Sequence, residues 1–417
     1  MSRRLHVVVV NSELPYPMTA GNRIRTLNLL LRLSGRHRIT FVARQNRDPD
    51  EVAPAVTFLN EHGIETVLAG PSIPPKKGPM FYARLAANLA SSRPYSVASH
   101  TSATVRRAIR SYAAAHQVDL WQAESTAFFD LLHDLPHAPK LVIAHNVETR
   151  IWQRYEEFET RPLKRWYIGL QRHKFERFER YAFTRATRVV AVSAEDGRLI
   201  REFGGRNVDV VDNGLDRAYF EAVHPERDPR QILFLGGFDW RPNQDAVDLL
   251  LDRIFPAVRA EEPSARLCLV GRKPSAALVQ RVQATDGVEL NADVPDVRPY
   301  LARSGVMVVP LRIGGGSRLK ILEALATGLP VVSTRIGAEG LEIEPGRHHI
   351  EANGPDEMAR ALIGCIRDPG PARAQADQAR RFVLDRYDWD TLADRLEEVW
   401  FQCVECTGPA LAVQNDP

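Results

Sequence analysis

The chain lacks the features that mark three broad classes of protein. Its 55 basic and 52 acidic side chains leave a net charge of only +3 over 417 residues, whereas a general nucleic-acid binder usually carries a stronger basic excess. No run approaches the roughly 20 apolar residues of a membrane span. The valines from Val7 to Val10 follow Arg3 and Arg4, but they are too few for a signal-peptide core. We therefore expect a cytoplasmic protein that begins with a buried strand and binds no nucleic acid.

Cysteine is also scarce, with Cys268, Cys365, Cys403 and Cys406 as the whole set. The last two form a Cys-x-x-Cys pair with no second Cys or His pair nearby, which is a weak zinc signal. Two incidental thiols at a helix end are the better interpretation. No predicted strand is followed by Gly-x-Gly-x-x-Gly, so a nicotinamide-binding oxidoreductase is disfavoured.

Apolar runs alternate with helical stretches in two successive series, which predicts an α/β protein with two parallel sheets covered on both faces. The first series is predicted to form strands at 5–10, 39–43, 64–68, 119–123, 141–144, 189–192 and 208–211. The second is predicted to form strands at 232–235, 267–270, 288–290, 306–309 and 331–334. The charged residues 221–230, with two prolines, are predicted to be a linker. We predict domains at 1–215 and 216–388, and a terminal helix with a frayed tail at 389–417.

The stretch from Pro310 to Thr334 predicts a strand, a glycine loop, a helix and a second strand. Three glycines, at 314–316, let the backbone approach a ligand closely, and Ser317 can cap the helix that Gly328 ends. The first turn of such a helix offers N–H groups and a positive dipole end to an anion.

Charged side chains on this helix point to a nucleotide diphosphate. Arg318 and Lys320 add positive charge at its start, and Glu323 lies roughly 9 Å along the axis from Ser317, about the reach from a diphosphate to its ribose. In the alternative interpretation this is an ordinary crossover, whose glycines only make a turn and whose Lys320 and Glu323 are a surface pair.

The segment from Gly314 to Thr334 resembles the donor-binding segment of the family-4, retaining glycosyltransferases, in the variant found in bacterial exopolysaccharide and PEP-CTERM/exosortase-associated clusters. The resemblance implies the GT-B fold, in which two Rossmann-like doubly wound domains face each other across a cleft. It also implies that the N-terminal domain binds the acceptor and that the C-terminal domain binds the nucleotide-sugar donor. In this fold the last helix crosses back to the first domain; a terminal helix packed on its own domain is the alternative.

In the first domain the resemblance is carried by two strand-end loops. Gly21 matches the family's glycine loop, which meets the donor phosphate or the acceptor, and Arg23 follows it in the first helical turn. Cations there oppose the helix dipole, so we expect an anion nearby, or else a solvated arginine. His145 matches a histidine that the family places near the transferred sugar, and Glu148 is a candidate for acceptor binding.

The second domain departs from the family at two points. Gly237 replaces the usual arginine after the first glycine, Gly236, and Arg241 is the candidate to supply that charge. Family members also carry two glutamates eight positions apart, and Gly315 stands where the first is expected. The backbone at Gly315 and Gly316 and the basic residues are expected to take over its donor contacts, or else the chain has lost catalysis and kept nucleotide binding.

The resemblance implies transfer of a sugar, with retention of anomeric configuration, to a glycan, lipid-linked or other small acceptor. Arg318 and Lys320 would stabilise the departing nucleoside diphosphate and His145 would position the reacting groups. No Asp-x-Asp triplet occurs in a suitable loop, so we predict no metal and no cofactor beyond the nucleotide-sugar co-substrate. A non-catalytic nucleotide-sugar-binding subunit and a GT-B epimerase or phosphorylase are the alternatives.

Residues 161–188 are basic, with interleaved aromatics. Such a helix is typical of peripheral contact with an anionic membrane surface. The alternative is a solvated helix whose aromatics pack on the first domain.

Overall fold

The computed structural model describes residues 3–136, 138–313 and 319–406. The chain forms two compact units. The first comprises the chain through Asp212 together with the C-terminal helix from Asp390, and the second runs from Asn213 to Trp389. The predicted boundary after residue 215 lies close to this division.

The first unit contains a seven-stranded parallel sheet, ordered β3-β2-β1-β4-β5-β6-β7. Its strands are β1 (His6–Val10), β2 (Arg38–Ala43), β3 (Ile64–Leu68), β4 (Leu120–Ala123), β5 (Lys140–Ala144), β6 (Arg188–Ala191) and β7 (Val208–Val210). Its helices before Asp212 are α1 (Gly21–Ser34), α2 (Val52–Glu61), α3 (Pro79–Leu89), α4 (Tyr95–His100), α5 (Ala103–Ala115), α6 (Phe129–Leu132), α7 (Glu148–Phe158), α8 (Pro162–Arg185) and α9 (Ala194–Glu202). Short 3-10 turns lie at Pro49–Glu51 and Thr126–Phe128.

The second unit contains a six-stranded parallel sheet, ordered β10-β9-β8-β11-β12-β13. Its strands are β8 (Asp228–Leu235), β9 (Arg266–Gly271), β10 (Val288–Ala292), β11 (Ser304–Val309), β12 (Val331–Ser333) and β13 (Ile350–Glu351). Its helices are α10 (Arg217–Glu221), α11 (Arg241–Leu249), α12 (Phe255–Glu261), α13 (Ala276–Gln283), α14 (Arg298–Arg303), α15 (Leu319–Ala326), α16 (Arg335–Ala338), α17 (Pro355–Arg367) and α18 (Pro369–Arg386), with a π-helical stretch at Leu250–Ile254.

Continuous apolar runs produce these sheets because helices cover both of their faces. Every residue of β1 is buried, and Val306 to Val309 of β11 have no exposed surface. The twelve predicted strands are confirmed. The two-residue strand β13 was not predicted, since two residues carry no periodicity.

The predicted linker at 221–230 is wrong at its end. Strand β8 begins at Asp228, so Pro229 lies within a strand. The register of β8 against β11 shifts between Ser304 and Val306, and an irregular strand start of this kind accommodates a proline that cannot donate to the ladder.

The last helix, α19 (Trp389–Glu405), belongs to the first unit from Asp390 onward. One face of it is buried, and Trp400 Nε1 donates a 2.8 Å hydrogen bond to Gln122 Oε1 at the end of β4. Glu397 accepts hydrogen bonds from Arg36 (2.8 Å) and His37 (2.8 Å), just after α1.

Gly271, the last residue of β9, is required by a close backbone approach. A Cβ atom there would lie 1.8 Å from the carbonyl oxygen of Gly236. We expect Gly271→Ala to lower the free energy of unfolding by roughly 1–3 kcal/mol, because the strand-end loops must move apart. Chemical denaturation measures the change. Gly364→Ala within α17, where nothing lies within 4 Å of the added carbon, is the control and should be neutral or stabilising. Equal stability of both variants would contradict the steric argument.

Candidate active site

The carboxyl ends of the parallel strands in the second unit carry its most constrained loops. Lys273 and Asp293 follow β9 and β10 and have left-handed φ angles of 54° and 52°. The Lys273 amide donates to Asp293 Oδ1 (3.0 Å), and the Asp293 amide donates to the Gly271 carbonyl (3.0 Å). Non-glycine residues rarely adopt this conformation, and such strain concentrates at ligand sites.

Lys320, in the first turn of α15, reaches the end of β8. Its ammonium donates hydrogen bonds to the Leu235 carbonyl (2.7 Å) and to Asn243 Oδ1 (3.0 Å) and lies 4.8 Å from the centre of the Phe234 ring. It does not form the surface pair with Glu323 that the alternative interpretation required. A half-buried positive charge is thus held beside the Gly236–Gly237 loop.

Asn243 is a site residue whose role the sequence did not show. It lies in the first turn of α11, which begins at Arg241 after the cap residue Trp240. The buried Asn243 side chain donates to the Gly237 carbonyl (2.8 Å) while it accepts from Lys320. A Cβ atom at Gly236 would lie 2.6 Å from Asn243 Nδ2, so glycine is needed for this close packing.

Two further donor-site candidates lie near this cluster along the chain. Arg241 is half-buried in the first turn of α11. Gly237 is followed by a turn closed by the Trp240 amide (3.3 Å). The candidates Gly315, Gly316, Ser317 and Arg318 lie outside the described residues, so their roles stay predictions.

Glu323 is half-buried one turn after Lys320. Burial raises the pKa of its carboxyl to about 7, against the opposing charge of Lys320. No described residue donates a hydrogen bond to it. A carboxylate that is desolvated and has no such donor can accept the hydroxyl hydrogens of a ribose.

A second cluster in this unit joins Asp296, Arg298 and Tyr219. The guanidinium of Arg298 binds Asp296 through three hydrogen bonds (3.1, 2.9 and 2.8 Å) and stacks 3.8 Å from the centre of the Tyr219 ring. The Tyr219 hydroxyl donates to Asp296 (3.1 Å). Burial raises the pKa of Tyr219, and the Glu323 charge contributes, which indicates that the cluster lies near Glu323.

In the first unit, Gly21 is the first residue of α1, and no side chain caps this helix. The expected anion beside Arg23 is provided by the protein itself. Arg23 is buried between Glu13 (3.0 Å) and Glu51 (2.9 Å), so it needs no ligand to offset its position in the first helical turn. Its proposed contact with an acceptor stays a prediction.

His145 lies beside Glu124, a fully buried carboxylate that follows β4. Nε2 of His145 lies within ion-pair distance, 3.4 Å, of Glu124 Oε1 without a hydrogen bond between them, whereas Glu124 accepts hydrogen bonds from Thr26 (2.7 Å) and Gln122 (2.7 Å). Burial acts to raise the pKa of Glu124, but His145 and the two donors outweigh it and the pKa is lowered. Glu124 is therefore an ionised group beside the imidazole, and Gln122 connects it to Trp400 of α19.

Glu148 begins α7, directly after this loop. Burial raises the pKa of its carboxyl to about 7, and the charge of Lys76 opposes the shift. Glu179 of α8 accepts hydrogen bonds from the amides of Glu148 (2.7 Å) and Thr149 (3.0 Å), so it caps the start of α7 from another helix. The end of this loop at Glu148 is thereby held by α8.

The stretch 161–188 is not a uniformly basic surface. The buried Lys174 donates to the Asn88 carbonyl (2.7 Å), and Arg172, Arg180 and Arg188 pair with acidic neighbours. Phe175, Phe178 and Phe183 are buried, as the packing alternative expected. Among the described residues, no helix is both long and apolar enough to cross a membrane.

Comparison with known proteins finds a family match within the second unit. Residues 229–368 match the family described as glycosyl transferases group 1. The glycogen synthase of Mycobacterium tuberculosis is 24% identical over 249 residues, which are 56% of this chain and 59% of the relative. A phosphatidyl-myo-inositol mannosyltransferase of Propionibacterium freudenreichii is 25% identical over 51% of this chain and 55% of its own length. The chain thus spans less than two thirds of these relatives.

Solved structures resemble the whole chain. Sucrose-phosphate synthase of Thermosynechococcus elongatus superposes with a TM-score of 0.71 at 19% identity, covering 96% of this chain and 99% of that one. HepE of Anabaena, in complex with UDP and glucose, gives a TM-score of 0.68 at 15% identity, with 96% and 100% covered.

The protein therefore has the GT-B fold and carries a group 1 glycosyltransferase domain in its second unit. The resemblance drawn from residues 314–334 is confirmed at this level. The exopolysaccharide context stays a prediction.

Proposed function

We propose that the protein is a retaining glycosyltransferase that uses a nucleotide-diphosphate sugar. The observation that carries this proposal is that α15 presents two groups together: the Lys320 ammonium, held at the carboxyl end of β8, and the half-buried Glu323 carboxyl one turn later. Ligands of open parallel sheets bind at this edge. Lys320 suits the diphosphate and Glu323 the ribose.

The reaction we propose needs no protein nucleophile. The oxygen of an acceptor hydroxyl attacks the anomeric carbon from the face that the leaving group vacates, and the bond from that carbon to the phosphate oxygen breaks. The nucleoside diphosphate leaves with the electron pair, and the hydroxyl proton passes to its phosphate oxygen. Lys320 and Arg318 stabilise the developing charge, so no metal or cofactor is required.

The acceptor contacts belong to the first unit. His145, oriented by Glu124, and Glu148 offer a neutral or charged donor and a carboxyl to sugar hydroxyls. We propose a glycan or lipid-linked acceptor in bacterial surface polysaccharide or glycoconjugate assembly. The protein would then act in the cytoplasm, peripherally on the inner face of the plasma membrane.

Turnover distinguishes an enzyme from a binding subunit. Purified protein is incubated with UDP-, GDP-, ADP- and TDP-sugars and bacterial lipid or glycan extracts, and release of nucleoside diphosphate is followed. We expect release with one nucleotide class, increased by an acceptor. Donor binding without release would support the non-catalytic subunit, and conversion of the sugar within the donor would support an epimerase.

Donor binding should depend on pH through Glu323. Its raised pKa means that it gains a proton below about pH 7, and a protonated carboxyl is a poorer acceptor for ribose hydroxyls. We expect about tenfold weaker binding at pH 6 than at pH 8, by calorimetry with the intact nucleotide sugar, whose diphosphate does not titrate in this range. Glu323→Gln should bind weakly at both values. A pH dependence that persists in this variant would contradict the role of Glu323.

A further inference from the structure

The end of helix α3 contacts the middle of helix α8. Asn88, near the end of α3, accepts a hydrogen bond from Gln171 of α8 (3.1 Å), and Lys174 donates to the Asn88 carbonyl. One turn before Asn88, Arg84 of α3 donates a hydrogen bond to the Tyr95 hydroxyl (3.4 Å). One turn before Gln171, Tyr167 of α8 interacts with the same Tyr95. Burial raises the pKa of Tyr167 to about 12, and the Tyr95 phenol contributes to the shift. The two helices therefore begin at the same end of the first unit.

Large apolar side chains are exposed at this shared end. Met80 and Tyr82 of α3 are 68% and 67% exposed, and Leu163 and Trp166 of α8 are 79% and 57% exposed. These are the four most exposed large apolar side chains among the described residues. Their exposure in a cluster, rather than singly, marks an interaction surface.

The same end carries unneutralised positive charge. Arg161, Arg165, Lys76 and Lys77 are exposed, and no described acidic side chain pairs with them, whereas Lys164 is paired with Glu159 (2.7 Å). Arg161 and Arg165 also lie at the start of α8, where a cation is disfavoured by the helix dipole. An anionic surface would offset both costs. We call Lys76, Lys77, Met80, Tyr82, Arg161, Leu163, Arg165 and Trp166 the shared-end patch.

We propose that the shared-end patch docks the protein onto an anionic phospholipid bilayer, with Leu163 and Trp166 entering the interface. Exposed apolar side chains surrounded by lysine and arginine suit the boundary between headgroups and acyl chains. A patch that combines large apolar residues with charge of one sign favours a bilayer over a protein partner, whose interface cores are depleted of lysine.

The start of α7 at Glu148 is capped by Glu179, which lies about 24 Å along α8 from Leu163. The patch and the His145 loop therefore lie on the same unit but not side by side. A docked patch would hold this unit, with its candidate acceptor residues, at the surface in which a lipid-linked acceptor lies. This inference rests on the proposed function and narrows its acceptor to a lipid-linked one.

Vesicle flotation tests the patch. We expect the full chain to float with phosphatidylcholine vesicles that contain 30% phosphatidylglycerol and to remain at the bottom with phosphatidylcholine alone. Leu163→Ser with Trp166→Ser, and separately Arg161→Glu with Arg165→Glu, should each reduce flotation at least tenfold. The matched control on the same helix is Arg177→Glu with Arg185→Glu, both exposed at its distal half, which should change flotation less than twofold.

Trp166 gives a second, site-specific signal. The tryptophan fluorescence emission of the protein should shift to shorter wavelength when anionic vesicles are added. Trp166→Phe should abolish this shift, whereas Trp240→Phe in the second unit should leave it unchanged. Absence of flotation, or an equal loss in the distal control, would overturn the patch. The rise in thermal midpoint on adding the nucleotide-sugar donor is measured on the wild type and on every variant. A protein that shows this rise but does not float overturns the membrane-docking proposal alone. A wild type that shows no rise with any donor counts against the proposed function.

Discussion

Replacing Lys320 with methionine should reduce nucleoside diphosphate release about 100-fold or more. The ammonium is held at the end of β8 by Leu235 and Asn243, and removing one preorganised donor to a developing anion typically costs 100- to 1,000-fold in turnover. Methionine keeps the length and the apolar packing against Phe234. The rate constant at saturating donor is the quantity to measure.

Arg360→Met is the control for this variant, because Arg360 is an exposed cation on helix α17 of the same unit and is not a candidate site residue. We expect its rate to stay within about threefold of the wild type. Since Lys320 also ties α15 to β8, the thermal midpoint of each variant is recorded. A Lys320→Met protein that is folded and turns over at the wild-type rate would refute the role of this residue.

Replacing Glu124 with glutamine should lower the rate constant roughly 10- to 100-fold while the donor KM changes little. Glu124 acts through His145, and loss of a group that orients a functional histidine has effects of this size. Glutamine fills the same volume, but it is uncharged and has only one acceptor oxygen. It therefore cannot attract the imidazole as the carboxylate does, nor accept from both Thr26 and Gln122. The nucleotide of the donor is expected to bind the second unit, so the donor KM should not report the change.

A double-mutant cycle separates positioning from a structural role. In the His145→Ala background, adding Glu124→Gln should reduce the rate less than about threefold further, because both changes remove one function. Independent, multiplicative losses would show that Glu124 supports the fold and not the histidine.

The elements of the fold follow from local sequence, because a buried parallel strand needs a continuous apolar run. Val7 to Val10 and Val306 to Val309 show this directly, and the glycine-rich segment after β11 identified the family. The side chains that complete the site could not be predicted in this way. Asn243 is 77 residues from Lys320, and Glu124 is 98 residues from Thr26, so no periodicity or spacing connects them.

Ion pairs between residues that are far apart in the sequence could not be predicted either. The sequence showed Arg23 in an unfavourable helical position, but not that Glu13 and Glu51 would surround it. It likewise showed many cations between 161 and 188 without showing which would pair. The structure places the two most exposed apolar side chains of this stretch, Leu163 and Trp166, at the start of α8 with the exposed Arg161 and Arg165.

The most direct test of the donor site is the thermal midpoint of the full chain with UDP-, GDP-, ADP- and TDP-sugars. A ligand that binds only the folded state at 100 times its Kd adds about 2.7 kcal/mol to the free energy of unfolding. We predict that one nucleotide class raises the midpoint of the wild type and that Lys320→Met abolishes the rise. A wild-type midpoint unchanged by all four donors, or an equal rise in Lys320→Met, would contradict a nucleotide-sugar site at the end of β8.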